Sequence, residues 1–268
     1  TQDDPFITFR YAENLVHGNG LVYNPGERVE GFSNPTWTFI MAAAALVVPE
    51  FHPLAMMWVA KLLGLICTIW LVLLMYGMER KLRPAKIPFA SIFLALNPCI
   101  WVWSVGALET MFSALLLGLF LYDELTRNST WKGGFALGIL AITRPEMPLL
   151  LFVYIFWKWW ITKRSPWKNP AILTALVGPL LCYEAFRYFY YGELVPNIFW
   201  AKFPYRDLTH GFKYFLNSTY QFHTWWFAIP FLLMGITRPA SRRPKIHLLM
   251  ILFYLSLIHI SEPTRLRR

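Results

Sequence analysis

Apolar residues dominate nine stretches of this sequence, and polar residues are gathered in the short segments between them. Several of these stretches approach the ~20 residues that an α-helix needs to cross the hydrocarbon core of a bilayer. The pattern therefore predicts an all-α polytopic membrane protein built as a transmembrane helix bundle. The apolar stretches are residues 36–50, 54–78, 87–104, 108–124, 131–144, 147–161, 170–190, 224–237 and the segment from 246 onward.

Basic residues in the polar segments predict the orientation of these helices, because Lys and Arg concentrate in short cytoplasmic loops. The turns between the basic segments then face outward, and they carry the unusual polar motifs of the chain. The segments assigned to the cytoplasmic side are 79–86, the loop around Arg127 and Lys132, 163–168 and 238–245. The outward motifs lie at 3–4, 104–109, 143–146 and 190–223.

Two parts of this topology have alternatives. The stretch 36–50 is short, so we interpret it as a juxtamembrane helix in the interface; if it crossed, the basic segment 79–86 would face outward. The stretch 131–144 reaches only about 21 Å at 1.5 Å per residue. A single span over 133–161 would instead bury Arg144 and Glu146, and Pro145 favours a break between two helices.

The composition supports a membrane protein, because only 15% of the residues are charged, compared with about 25% in soluble domains. The net charge of +10 is carried by basic residues in short loops between apolar stretches, so it does not indicate a nucleic-acid partner. The histidines show no metal-ligand spacing, and we predict no metal site.

The two ends of the sequence lead to further expectations. The chain starts at Thr1 without a Met, which favours a missing first helix upstream. Residues 255–265, LSLIHISEPTR, match the translation of a transposase sequencing adapter, and Leu266 fits its next codon. We therefore expect one partial transmembrane domain over residues 1–254 and a non-native tail over 255–268. The alternative for the tail is a natural basic extension.

The first candidate for chemistry is the acidic pair Asp3 and Asp4, which opens a polar segment at the predicted membrane edge. A carboxylate there could act as a general base for a hydroxyl group, with its neighbour orienting the acceptor. The alternative is structural, because Asp before Pro5 is also a favourable helix start.

Further charged candidates lie in the later outward turns. Glu109 sits between two apolar helices, where a carboxylate must be hydrated, paired or metal-bound. Arg144 suits a phosphate group, because the guanidinium fork matches phosphate oxygens; alternatively, Arg144 and Glu146 neutralise each other. Lys202 suits an anionic lipid headgroup or simply snorkels to the interface. Glu184 and Arg187 are three residues apart on one helix, which predicts an internal ion pair.

Five motifs, taken together, resemble the GT-C superfamily of polytopic glycosyltransferases, and most closely the bacterial arabinofuranosyltransferase type. This superfamily also includes the lipid A aminoarabinose transferase and the protein O-mannosyltransferases. The motifs are DDPFITFRYAENL, NPGERVEGFSNPTW, NPCIWVWSVGALETM, AITRPE and YYGELVPNIFWAK, and they follow the family order over residues 2–202.

This resemblance implies a reaction and a location. The donor would be a sugar on a polyprenyl phosphate, and the acceptor a hydroxyl of a cell-envelope glycan or lipid. The active site would face the extracytoplasmic side of the cytoplasmic membrane. An essential acidic residue in the first outward loop falls on Asp3 or Asp4, Arg10 lies near the donor phosphate, and Glu109 corresponds to a second acidic residue.

The mechanism expected from these features is an inverting displacement at the anomeric carbon. Asp3 or Asp4 removes the acceptor proton, while Arg10, Arg144 and Lys202 stabilise the departing phosphate. No cofactor is required, and a divalent cation is compatible with the reaction but not needed. The rival functions are a transporter or lipid flippase, in which intramembrane charges mark a substrate path, and a structural membrane protein without a catalytic site.

Overall fold

The structure, a computed structural model, describes residues 4–48, 52–82, 87–127, 129–160 and 169–197. Over these ranges the backbone forms nine α-helices and no β-strand, which confirms the predicted all-helical class. They are α1 (Asp4–Val16), α2 (Pro35–Ala45), α3 (Pro53–Leu82), α4 (Phe89–Leu96), α5 (Pro98–Ser104), α6 (Thr110–Arg127), α7 (Trp131–Ala141), α8 (Met147–Trp160) and α9 (Pro170–Tyr191). The predicted stretches 224–237 and 246 onward, and the suspected tail at 255–268, lie outside the described residues.

The described residues divide into two compact units. The first contains the described residues up to Leu151 together with 169–197. It holds the two charged clusters, around Glu109 and around Glu30, that are described below. Residues 152–160 belong to the second unit; they are the end of α8, where Tyr154 and Trp157 stack with ring centroids 6.1 Å apart.

Two helices in the described part of the chain are long and apolar enough to cross a membrane, α3 with 30 residues and α9 with 22. In each, 28% of the most apolar window is buried within the structure. Trp58 and Trp70, for example, are 71% and 54% exposed on α3. Large apolar side chains facing outward fit contact with lipid better than the core helix of a soluble protein. The crossings predicted for the remaining stretches stay predictions.

Proline and asparagine set several helix boundaries. The stretch 87–104, which we predicted as one helix, is two, because Pro98 begins α5 and the Asn97 side chain caps it by accepting from the Cys99 backbone N–H at 2.9 Å. The break predicted at Pro145 is confirmed, since α7 ends at Ala141 and α8 begins at Met147.

The core of the first unit forms where α1, α2 and α3 meet. Phe9 of α1, Trp37 and Met41 of α2 and Met56 of α3 are each at most 1% exposed and belong to one apolar cluster. Ala107, from the turn before α6, joins the same cluster. This packing fixes α1 against the turn that carries Glu109.

Helices α7 and α9 approach each other closely at Gly138. A Cβ atom at this position would lie 2.5 Å from the Ala175 carbonyl oxygen and 2.8 Å from that of Leu176. Both contacts are with backbone, which cannot rotate away. The absence of a side chain at position 138 therefore allows α9 to pack directly on α7.

We expect Gly138→Ala to destabilise the protein by about 1–3 kcal/mol, the usual range for overpacking. Gly178→Ala is the matched control, because its nearest neighbour is the Thr174 Cγ2 atom at an ordinary 3.7 Å and alanine favours helix. Thermal unfolding in detergent should show a lower midpoint for the first variant and an equal or higher one for the second. Equal midpoints for both variants would contradict the close packing.

Candidate active site

Glu109 is the centre of a buried polar network. Its side chain accepts a hydrogen bond from Asn34 Nδ2 at 2.9 Å and forms an ion pair with Arg144 NH1 at 2.8 Å. Arg144 also pairs through Nε with Glu146 at 2.7 Å. Of the states expected for this carboxylate, hydration at a solvated turn is wrong, because Glu109 is only 3% exposed. Its charge is instead balanced by a guanidinium, as a buried carboxylate requires.

The turn that presents Glu109 has an unusual backbone. Ala107 adopts φ +61°, a left-handed conformation that residues with a Cβ rarely adopt, and its carbonyl accepts a hydrogen bond from the Trp37 indole at 3.4 Å. Two residues later, the Glu109 carbonyl accepts from the Ser113 N–H at 2.8 Å, at the start of α6. The buried Trp37 thus helps to hold a strained turn that directs Glu109 inward.

The network continues to the face of α1 that carries the predicted catalytic residue. The Thr8 hydroxyl and the Asn34 side-chain amide are hydrogen-bonded at 3.1 Å, and both are buried. Asp4, the first residue of α1, precedes Thr8 by four positions and so shares its face of the helix. Asp4 is exposed. The chain Thr8–Asn34–Glu109–Arg144 therefore links the start of α1 to the α7–α8 turn.

The remaining predicted site residues are not brought into this network. Arg10 lies about 200° around α1 from Thr8, where it pairs with Glu13 at 2.8 Å and donates to the Tyr23 carbonyl at 3.3 Å. Asp3 and Lys202 lie outside the described residues. The structure thus assembles Glu109, Arg144 and Glu146, places Asp4 on α1 one turn before Thr8, and separates Arg10 from the network.

A second buried cluster surrounds Glu30, which the sequence analysis did not single out. The Glu30 carboxylate is 3% exposed; it accepts from the Tyr183 hydroxyl at 2.6 Å and pairs with Arg187 Nε at 2.7 Å. The predicted ion pair between Glu184 and Arg187 is confirmed. Glu30 lies in the motif NPGERVEGFSNPTW, and that position was the one signal that could have pointed to it.

Tyrosine side chains hold the loop that carries Glu30. The Tyr11 hydroxyl donates to the Val29 carbonyl at 2.8 Å and accepts from the Gly31 N–H at 2.9 Å. Burial raises the pKa of this phenol. Further along the loop, Leu21 is bonded through its N–H to the Tyr190 hydroxyl and through its carbonyl to Tyr191. The loop is therefore fastened to α1 on one side and to α9 on the other.

A cavity of about 250 Å³ is lined by Arg144 of the first cluster and by Glu30, Glu184 and Arg187 of the second. Its wall is formed by four segments of the first unit: the loop at 30–35, the turn at 141–148, the middle of α9 at 180–187, and residues 194–196. The charged side chains on the wall are Glu30, Arg144, Glu184 and Arg187, and most of the remainder is apolar. Apolar walls with a few polar groups are typical of small-molecule sites.

The carboxylates of this region are paired with arginine side chains. Within the described ranges, His, Cys, Asp and Glu side chains form no group of three or more that could hold a metal. Glu30, Glu109, Glu146 and Glu184 each contact a guanidinium instead.

The chain is similar to two curated bacterial proteins that share the name terminal beta-(1->2)-arabinofuranosyltransferase. The protein from Mycobacterium tuberculosis (strain ATCC 25618 / H37Rv) is 27% identical over 271 aligned residues, which cover 91% of this chain and 42% of the relative. The protein from Corynebacterium glutamicum is 26% identical over 230 residues, covering 75% of this chain and 32% of the relative. The chain thus spans less than half the length of either relative.

No protein-family model matches the chain, and no solved structure matches it significantly. The two relatives nevertheless align with 91% and 75% of this chain. Their shared name confirms the resemblance to glycosyltransferases of the arabinofuranosyltransferase type that the sequence motifs indicated.

Proposed function

We propose that this chain is part of a polytopic membrane glycosyltransferase that transfers a sugar from a polyprenyl-phosphate donor to an acceptor hydroxyl outside the cytoplasmic membrane. The observation that carries the proposal is the similarity, over 91% of the chain, to a protein named as an arabinofuranosyltransferase. The cavity beside the Glu109–Arg144 pair provides a suitable site. An arabinofuranosyl unit and a (1→2) linkage are the first donor and product to test.

The proposed reaction is a single inverting displacement. A carboxylate of Asp3 or Asp4 takes the proton of the acceptor hydroxyl while its oxygen attacks the anomeric carbon. The bond between that carbon and the phosphate oxygen breaks, and polyprenyl phosphate leaves with the bonding electrons. The position of Asp4 at the start of α1, one turn from the Thr8–Asn34 link, supports this assignment.

Arg144 stabilises the departing phosphate in this proposal. Its guanidinium lines the cavity, whereas its carboxylate partners Glu109 and Glu146 are not part of the cavity wall. They hold the guanidinium in place. Preorganised charge of this kind contributes most where water is excluded. Lys202 is assigned a supporting contact with the lipid phosphate, whereas Arg10, which lies on another face of α1 and pairs with Glu13, is assigned none beside Arg144.

The test uses the full-length protein in membrane vesicles with a panel of polyprenyl-phosphate sugars and cell-envelope acceptors. Release of polyprenyl phosphate, dependent on acceptor and absent from vesicles without the protein, is expected for one donor. Loss of donor from one leaflet without release would favour the transporter or flippase. Neither release nor movement with any donor would contradict the proposal.

We expect the reaction to need no divalent cation. A phosphomonoester leaving group carries less charge than a diphosphate, and Arg144 supplies a positive charge at the cavity wall. Addition of a chelator should therefore leave the rate of polyprenyl-phosphate release unchanged. A loss of activity that added Mg²⁺ or Mn²⁺ restores would show that a metal takes part.

A further inference from the structure

We propose that the cavity holds a neutral glycosyl ring and that Glu184 accepts hydrogen bonds from its hydroxyl groups, with Glu30 and Arg187 as positioning residues. This inference rests on the proposed function and names the part of that site which recognises the sugar. Neither Glu30 nor Glu184 was assigned a role in binding by the sequence motifs.

The part of the cavity wall formed by Glu30, Glu184 and Arg187 carries a balance of charge that disfavours a phosphate. Glu30, Glu184 and Arg187 all line the wall, so one guanidinium is presented together with two carboxylates. Arg187 is also occupied: it bonds Glu30 through Nε at 2.7 Å and through NH2 at 3.4 Å, and it bonds Glu184 through NH1. An anion placed here would meet an excess of negative charge. We assign the phosphate to the part of the wall that carries Arg144, because the carboxylates of the cluster around Glu109 are not part of the wall.

The size and lining of the cavity suit a sugar ring. A volume of about 250 Å³ corresponds to roughly eight water molecules at about 30 Å³ each, a space comparable to one pentose or hexose ring. Phe32, Pro145, Pro148 and Leu180 supply apolar wall for the C–H faces of such a ring. The carboxylate oxygens of the wall accept hydrogen bonds and lie beside apolar surface. This combination matches the chemistry of a polyol, whose hydroxyl groups donate hydrogen bonds.

The two carboxylates have different environments, and this difference separates their roles. The Glu184 side chain is 32% exposed, whereas that of Glu30 is 3% exposed. The Tyr183 hydroxyl and Arg187 both donate hydrogen bonds to Glu30, so the Glu30 carboxylate is already engaged within the protein. Glu184 Oε1 contacts Arg187, and an ionised carboxylate has about four acceptor sites. Glu184 is therefore the group available to a ligand.

The first arm of the test measures binding without turnover. Saturation-transfer NMR on the full-length protein follows the ring-proton signals of a methyl arabinofuranoside, and added inorganic phosphate, as a competitor, should leave these signals unchanged. We expect the glycoside signal to fall at least about fivefold in Glu184→Gln and to persist in Glu27→Gln. Glu27 is an exposed carboxylate of the loop that carries Glu30, and Asn24 contacts it. Unchanged glycoside binding in Glu184→Gln, or no binding to the wild type, would overturn the inference.

The second arm uses monodeoxy donors and monodeoxy acceptors. Glu184→Gln should lower kcat/KM for the parent substrate by about 10–100-fold, the worth of a hydrogen bond to a charged group, but lower it less than threefold for the one deoxy analogue that lacks the bonded hydroxyl. If that analogue is one of the deoxy donors, the ring in the cavity is that of the donor sugar. If it is one of the deoxy acceptors, the ring is that of the acceptor. Equal losses for parent and all analogues would overturn the inference and leave the proposed transferase intact.

Inhibition by polyprenyl phosphate distinguishes a sugar subsite from an anion subsite. Removing a carboxylate beside a bound anion strengthens binding, so a lower Ki in Glu184→Gln would place the phosphate here and overturn the inference. We expect an unchanged Ki. Glycoside binding that depends on Glu184, without release from any donor, would support the sugar subsite and contradict the proposed reaction.

Discussion

Replacing Asp3 and Asp4 together by Asn is expected to lower kcat for polyprenyl-phosphate release by at least about 100-fold, since general-base catalysis typically contributes 10²–10⁴-fold. Asparagine keeps the size of the side chain and still suits the start of α1, but it cannot take up the proton of the attacking hydroxyl group. The measurement is the initial rate of release by the full-length protein at saturating donor.

The control for this variant is Glu27→Gln, which removes one exposed carboxylate from the loop after α1 and should keep the wild-type rate. The single variants Asp3→Asn and Asp4→Asn then identify the base, because only one of them should approach the loss seen in the double variant. A double variant with full activity would exclude the acidic pair as the base.

The second large effect is expected on stability, at the Glu109–Arg144 pair. Arg144→Gln leaves Glu109, which is 3% exposed, without its guanidinium. Breaking a buried pair on one side typically costs about 3–5 kcal/mol. We therefore expect a loss of this size in the free energy of unfolding, measured by denaturant titration in detergent.

A double-mutant cycle shows whether this loss comes from the uncompensated carboxylate. Glu109→Gln/Arg144→Gln removes both charges and should be more stable than Arg144→Gln alone. Arg10 and Glu13 form the comparison pair, because their side chains are 44% and 29% exposed and exposed pairs contribute only about 0.2–1 kcal/mol. A double variant as unstable as the single one would show that the charge of Glu109 is not the cause.

Much of the helical framework could be predicted from local patterns, because apolar stretches and prolines act over short distances. Pro145 correctly predicted the break between α7 and α8, and the apolar run at 170–190 correctly predicted α9 (Pro170–Tyr191). The division of 87–104 into α4 and α5 was missed, although its signal was local too. Asn97 followed by Pro98 is a helix-start pattern, and the apolar character of the run concealed it.

The candidate site was only partly predictable, because its contacts join distant segments. The ion pair of Glu184 and Arg187 follows from a spacing of three residues on one helix. The partner that completes it, Glu30, lies 157 residues from Arg187 and looks like an ordinary polar loop residue in sequence. Glu109 and Arg144 were each expected in outward turns, but their contact across 35 residues depends on how α6 and α7 pack.

The fastening of the Glu30 loop to α9 also sets the time at which the site can be completed during biosynthesis. Glu30 leaves the ribosome before its partners, because Tyr183 and Arg187 follow 153 and 157 residues later. At about 5–20 residues per second, translation needs roughly 8–30 s to supply them. Until then the nascent chain holds the Glu30 carboxylate without these partners. The cavity therefore closes late, only after α9 has been made and has packed against the loop.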